Sequence, residues 1–276
     1  MLVPLALYRL IAQIARVLSA QIFMELSFEL VLLLFATGLL AGFVDSIAGG
    51  GGLLTVPVLL WTGMPPAMVL GTNKLQGSIG TLTSSFNFYR NGHVPLRSAA
   101  LSMVCAFVGS ALGTYAVRSL DASLLSRLLP LLLILFALYF LFSPRVNDID
   151  AQHRIGRNLF ALTAGFGIGF YDGFFGPGAG AFYVMAHIAL LGYGIVRATA
   201  HTKVLNFASN ISALLFFQIA GLVSWPIGLS MGAGQVFGSY LGSHLSMRHG
   251  VRLIKPVLVI TSTAISLKLL FDNWPG

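Results

Sequence analysis

Apolar residues run through this chain in blocks as long as a bilayer is thick, divided by short polar or glycine-rich breaks. Ser98 to Val117 carries no charge, Leu128 to Pro144 carries none, and Val204 to Met247 has no Asp, Glu, Lys or Arg. About twenty apolar residues cross the hydrocarbon core as a helix. The pattern predicts an all-α, polytopic integral membrane protein. Its first half reads as segments A (Leu26–Ile47), B (Leu53–Thr62), C (Thr72–Tyr89), D (Leu96–Val117) and E (Leu124–Phe142). A hydrophilic stretch, Ser143–Asn158, separates these from A′ (Leu159–Tyr171), B′ (Ala179–Leu191), C′ (Thr199–Ile219), D′ (Trp225–Leu245) and E′ (Leu253–Phe271).

The two halves match. Gly42-x-x-Asp45 recurs as Gly169-x-x-Asp172, and Gly49 and Gly51 recur as Gly176 and Gly178, all offset by 127 residues (172 − 45). After a short length change, Lys74 matches Lys203, Gly92-x-Val94 matches Gly221-x-Val223, and Gly109-Ser110-x-x-Gly113 matches Gly238-Ser239-x-x-Gly242, offset by 129 (203 − 74). Spaced matches on one register predict a duplicated unit, a common way to build a secondary transporter. We therefore expect one membrane domain over 24–276, with repeat 1 at 24–142, a loop at 143–158 and repeat 2 at 159–276. Residues 1–23 stand apart. Arg9, Gln13 and Arg16 share one helical face there, which suits a helix lying in the interface; the other expectation is that translation starts at Met24.

Composition fits this picture. Of 276 residues 57% are hydrophobic and 9% charged, against roughly a quarter charged in a soluble domain. The net charge of +8 would raise nucleic acid as a partner in a soluble protein. Here most basic residues sit in short loops, where the positive-inside rule puts them. If A and B together cross twice or dip and return, the basic C–D, central, B′–C′ and D′–E′ loops share one side. The repeats are then inverted in a cell inner membrane, with both termini periplasmic. The single cysteine, Cys105, excludes an intramolecular disulfide and reads as a packing residue.

Candidate chemistry begins where A meets B, at Asp45 and the run Gly49, Gly50, Gly51, Gly52, and where A′ meets B′, at Asp172, Gly176, Pro177 and Gly178. Such glycine runs do not hold a helix, each costing about 1 kcal/mol relative to Ala. The break leaves free helix N-termini at B and B′, whose bare N–H groups make anion sites. The bland alternative, close helix packing, is our reading for Gly109, Gly113, Gly238 and Gly242. Next come Thr72, Asn73, Lys74 and Gln76, with the copy Thr202, Lys203 and Asn206. A lysine within a membrane segment is expensive and faces a cavity or a partner, though one near a segment start could snorkel to the interface. Both lysines are expected to face the central axis and offer charge to an anion. Asp45 and Asp172 stay open between proton carriers, partners of the lysines, and caps for the helices that follow.

His187, His201 and His244 lack metal-site spacing. HExxH, Walker-type and GxSxG motifs do not occur. No enzyme, metal or cofactor is expected.

At this point a resemblance enters. Gly42-Phe-Val-Asp-Ser-Ile-Ala-Gly-Gly-Gly-Gly-Leu-Leu-Thr-Val-Pro57 with Gly71-Thr-Asn-Lys-Leu-Gln76 resembles the sulfite exporter TauE/SafE family. Asp172-Gly-Phe-Phe-Gly-Pro-Gly-Ala-Gly180 with His201-Thr-Lys203 resembles that family's second copy. The resemblance implies a permease for sulfite, sulfonates or related organic anions, with the junction glycines, Asn73, Lys74, Thr202 and Lys203 at its site. The expected partners are a small anion and the lipid bilayer; self-association stays open. A passive anion channel is the nearest alternative, and an intramembrane enzyme a more distant one.

Overall fold

The computed structural model describes residues 26–120 and 154–250. Segments E and E′, residues 1–23 and most of the central loop lie outside the described residues. The order of elements is α1 (Phe28–Ala48), α2 (Gly51–Trp61), α3 (Pro66–Arg90), α4 (Leu96–Arg118) and α5 (Arg157–Phe160). A π-helical stretch (Ala161–Gly165) continues α5 into α6 (Phe166–Phe174), followed by α7 (Ala179–Leu191), α8 (Ile195–Ile219) and α9 (Trp225–His249). Among the described residues there is no strand. By length and composition α1 and α4 can cross a membrane, while α2 and α7 are apolar but short.

Local chemistry sets the helix starts. The Ser27 side chain accepts the Leu30 N–H at 3.3 Å and caps α1. Proline opens α3 at Pro66 and sits in the first turn of α9 at Pro226, positions whose missing N–H costs nothing. This changes the expectation for C and C′. α3 begins at Pro66 and α8 at Ile195, so Lys74 and Lys203 lie in the third turn of 25-residue helices and not near their starts. Both are sealed from the surface, at 1% and 0% exposure, which rules out snorkelling. Hydropathy missed the first turns because Pro66, Gly71 and Arg197 dilute the apolar signal there.

Polarity is turned inside out relative to a soluble protein. Large apolar side chains such as Phe28, Trp61, Phe86, Tyr115, Ile219 and Phe237 face outward. Ser46, Thr55, Asn73, Lys74, Gln76, Asn87, Asp172, Lys203, Asn206 and Gln235 are buried. That distribution suits a lipid exterior around a polar axis.

Glycine seams hold the bundle together. α1 lies along α9, α6 lies along α4, and α3 and α8 pack on each other at the centre. A Cβ on Gly238 would stand 2.0 Å from the Leu39 carbonyl oxygen, and one on Gly113 2.0 Å from that of Phe170. Gly109 and Gly242 are equally tight against Phe166 O and Ser46 Oγ. These four glycines pack helices, as expected.

Candidate functional site

Two interrupted helices build the site. α1 ends at Ala48, and Gly49 then turns the chain at φ 76°. A side chain at Gly49 would be strained and would also collide with the Gly180 carbonyl carbon, 2.4 Å from its Cβ. Only Gly49 and Gly50 stand outside helix; Gly51 and Gly52 form the first turn of α2, which the expectation of a wholly non-helical glycine run did not allow. In the other junction Phe175 to Gly178 is irregular, with Gly176 at φ 100°. The Tyr171 hydroxyl donates to the Pro177 carbonyl and fixes this turn.

The junctions touch. Ala181 N–H donates to the Gly49 carbonyl at 2.9 Å, and a Cβ on Gly52 would meet Pro177 Cα at 3.0 Å. The N-terminal ends of α2 and α7 therefore meet inside the bundle and do not point out to lipid.

Each lysine pairs with the aspartate of the other half. Lys74 Nζ lies 2.6 Å from Asp172 Oδ1 and donates to Asn210 Oδ1 at 3.2 Å. Lys203 Nζ lies 3.1 Å from Asp45 Oδ2 and donates also to the Asp45 carbonyl. The second oxygen of Asp172 accepts the Ser209 hydroxyl, and Asp45 Oδ1 accepts the Gly51 N–H at 3.2 Å. At Asp45 the lysine contact and the contact to the α2 N-terminus occur together, on its two carboxylate oxygens. Gly176 makes room for its lysine, since a Cβ there would sit 2.8 Å from Lys74 Nζ.

A cavity of about 40 Å³ lies between the two junctions. At roughly 10–15 Å³ per water it holds about three waters or one solute of a few heavy atoms. Its walls carry Asp45, Asp172, Asn73, Gln76, Thr81, Asn206, Asn210 and Gln235, with Gly51, Gly52, Gly176, Gly178, Ala179 and Gly180. The lysines do not line it. They stand behind the carboxylates, which changes the expectation that they face the solute directly. Pairing with an aspartate offsets the cost of burying each ammonium, and this holds the lysines back.

Other expected residues are distributed unevenly. Thr72 turns away, its hydroxyl accepting the Ser224 N–H at 2.9 Å, and Thr202 approaches His187 Nδ1 at 3.4 Å. Neither lines the cavity, nor do Gly49 and Gly50. Asn73, Gln76 and Asn206 do. Two contributors, Gln235 and Thr55, escaped the sequence reading. Gln235 donates to Gln76 Oε1, Gln76 donates to Thr55 Oγ1 at 3.2 Å and to Asn73 Oδ1 at 2.7 Å, and Ser209 holds Asp172. The run Gln235, Ser239, Ser243 and Ser246, every three or four residues on α9, is the signal that could have shown its inner face. The histidines are less isolated than expected: the rings of His187 and His201 lie 5.8 Å apart, with Tyr193 stacked on His187 and tilted against His201. Among the described residues no group of His, Cys, Asp and Glu is placed to hold a metal ion.

Residues 34–269 match the model of the family described as "Sulfite exporter TauE/SafE". The chain belongs to the TauE/SafE family. Similar proteins include a "Probable membrane transporter protein" of Haemophilus influenzae, 44% identical over 91% of this chain and 98% of its own length. "Probable membrane transporter protein YfcA" of Escherichia coli K12 is 47% identical over 87% of this chain and 89% of its own. "Probable membrane transporter protein YunE" of Bacillus subtilis is 25% identical over 87% and 97%. No solved structure matches. This TauE/SafE protein is a membrane transporter, and its outward apolar helices and buried polar axis are what that role requires.

Proposed function

We propose that this transporter carries a small oxyanion, sulfite or a sulfonate, across the cell inner membrane through the cavity between its two helix breaks. The family's description supplies the substrate class. One observation carries the reading: two helix N-termini, α2 and α7, converge on one polar cavity ringed by side-chain amides. Each helix end presents about half a positive charge, and amide N–H groups are donors suited to oxyanion oxygens.

The duplication belongs to this reading. α3 and α8 have the same length and start 129 residues apart (195 − 66), α1 on α9 parallels α6 on α4, and the ion pairs are exchanged between halves. Two inverted repeats with interrupted helices A–B and A′–B′ account for all three. Such repeats place a solute at their interface near the bilayer midplane, and the basic-loop asymmetry then puts both termini in the periplasm.

Purified protein in liposomes tests the proposal. Labelled sulfite or methanesulfonate is expected to exchange across the membrane with saturable kinetics. Flux that stays linear to high concentration would make the protein a channel, and absent flux of every small oxyanion would remove the anion reading.

A further inference from the structure

The walls of the cavity pose an electrostatic problem for an anion. Two lysines and two aspartates cancel, and the carboxylates stand nearer the cavity than the ammoniums. Like charges repel strongly in a site with little water. An incoming anion meets Asp45 and Asp172 first.

The two carboxylates differ in what holds them. Asp172 is 4% exposed in its side chain, with Lys74 at 2.6 Å on one oxygen and the Ser209 hydroxyl on the other. Asp45 is 19% exposed, its lysine stands at 3.1 Å, and its other oxygen takes the Gly51 N–H of the α2 N-terminus. Its carboxylate is therefore a tethered anion seated at the helix end that a solute would use. Lys203 also donates to the Asp45 main-chain carbonyl. The lysine keeps that contact when the carboxylate is neutral. Asn206, 4% exposed, adds an amide to the same wall whose Oδ1 has no partner.

Resting on the anion reading above, we propose that Asp45 is the proton-coupling group. One proton adds to Asp45 Oδ2 from water on the side the anion leaves, forming an O–H bond. The neutral acid releases the Gly51 N–H and part of the Lys203 charge to the anion, and the proton returns to water on the far side. Charged groups facing Asp45 are Lys203 on α8 and Asp172 on α6, with Lys74 on α3 behind Asp172. The cavity walls from α2, α7, α8 and α9 are uncharged.

The test uses the full chain in proteoliposomes with a pH dye inside, labelled sulfite, and labelled methanesulfonate, which brings no proton of its own. Counterflow at equal pH reads the anion site alone. An imposed pH gradient reads coupling after subtracting protein-free liposomes. Wild type is expected to accumulate label about tenfold per pH unit, with one proton entering per anion. Asp45→Asn is expected to lose that accumulation, and Asp45→Glu to restore it. No counterflow of either anion would sink the site itself. Counterflow without gradient-driven accumulation in wild type, or accumulation by Asp45→Asn equal to wild type, would overturn Asp45 as the coupling group and leave the anion site standing. Should Asp45→Asn fail to fold, Asp45→Ser takes its place, and accumulation equal to wild type in it would likewise overturn Asp45.

Discussion

The Lys74–Asp172 and Lys203–Asp45 pairs use the same two residue types at matching places in the two halves, yet they are not equivalent. The first is short, little exposed at either end and supported by Ser209 and Asn210. The second is longer and its aspartate is the more exposed, although both aspartates line the cavity. A buried pair held by further hydrogen bonds fixes the fold, and breaking it leaves an uncompensated charge. A pair with one partner near water is cheaper to open. On the coupling proposal above, the first pair acts as a strut and the second as the contact that opens.

This comparison can be broken by substitution. The largest effect is expected from Asp172→Asn, or from Lys74→Met, each destabilising by about 3–5 kcal/mol; thermal unfolding in detergent measures it. Equal losses for Asp45→Asn and Asp172→Asn would erase the distinction. Next comes Gly49→Ala, which places a side chain at φ 76° against the Gly180 backbone. A loss of about 1–3 kcal/mol is expected from strain at such a position, read as lower melting temperature and yield. Asp45→Asn should cost roughly 1–2 kcal/mol, since Lys203 keeps a carbonyl partner and the carboxylate gives up one N–H. Double-mutant cycles on both pairs sharpen this, with the larger coupling energy expected at Lys74–Asp172. The smallest effect on stability belongs to Gln235→Leu, which leaves the Gln76 oxygen without its donor. About 1 kcal/mol is expected there, together with a several-fold fall in sulfite flux in liposomes.

Much of the site was legible because its signals are local. Glycine runs, a lysine in an apolar block and an aspartate before a break each stand out within a few residues. The pairing of Lys74 with Asp172 could not be read that way, because it joins α3 to α6 across a separation only the fold closes. Gln235 went unnoticed for a related reason: one amide in α9 gains meaning only when Gln76 is opposite it. Thr72 and Thr202 misled by adjacency, since a helix turns neighbouring residues by about 100° and sends them to other faces. Among the described residues, the charge-free blocks Ser98–Val117 and Val204–Met247 fall on helices α4, α8 and α9. The first turns of α3 and α8 were lost where proline, glycine and arginine thinned the apolar signal at Pro66 and Arg197.

The glycine seams carry a consequence for biosynthesis. α1 is sealed against α9 and α6 against α4, so each half supplies the wall its counterpart lacks. A newly made α1 must wait in lipid until α9 has emerged, and its Gly38 and Gly42 lie bare until then. The buried ion pairs form earlier but still late, Lys74 waiting for α6 and Asp45 for α8, so a chain stopped after its first half would leave Lys74 with no counter-charge.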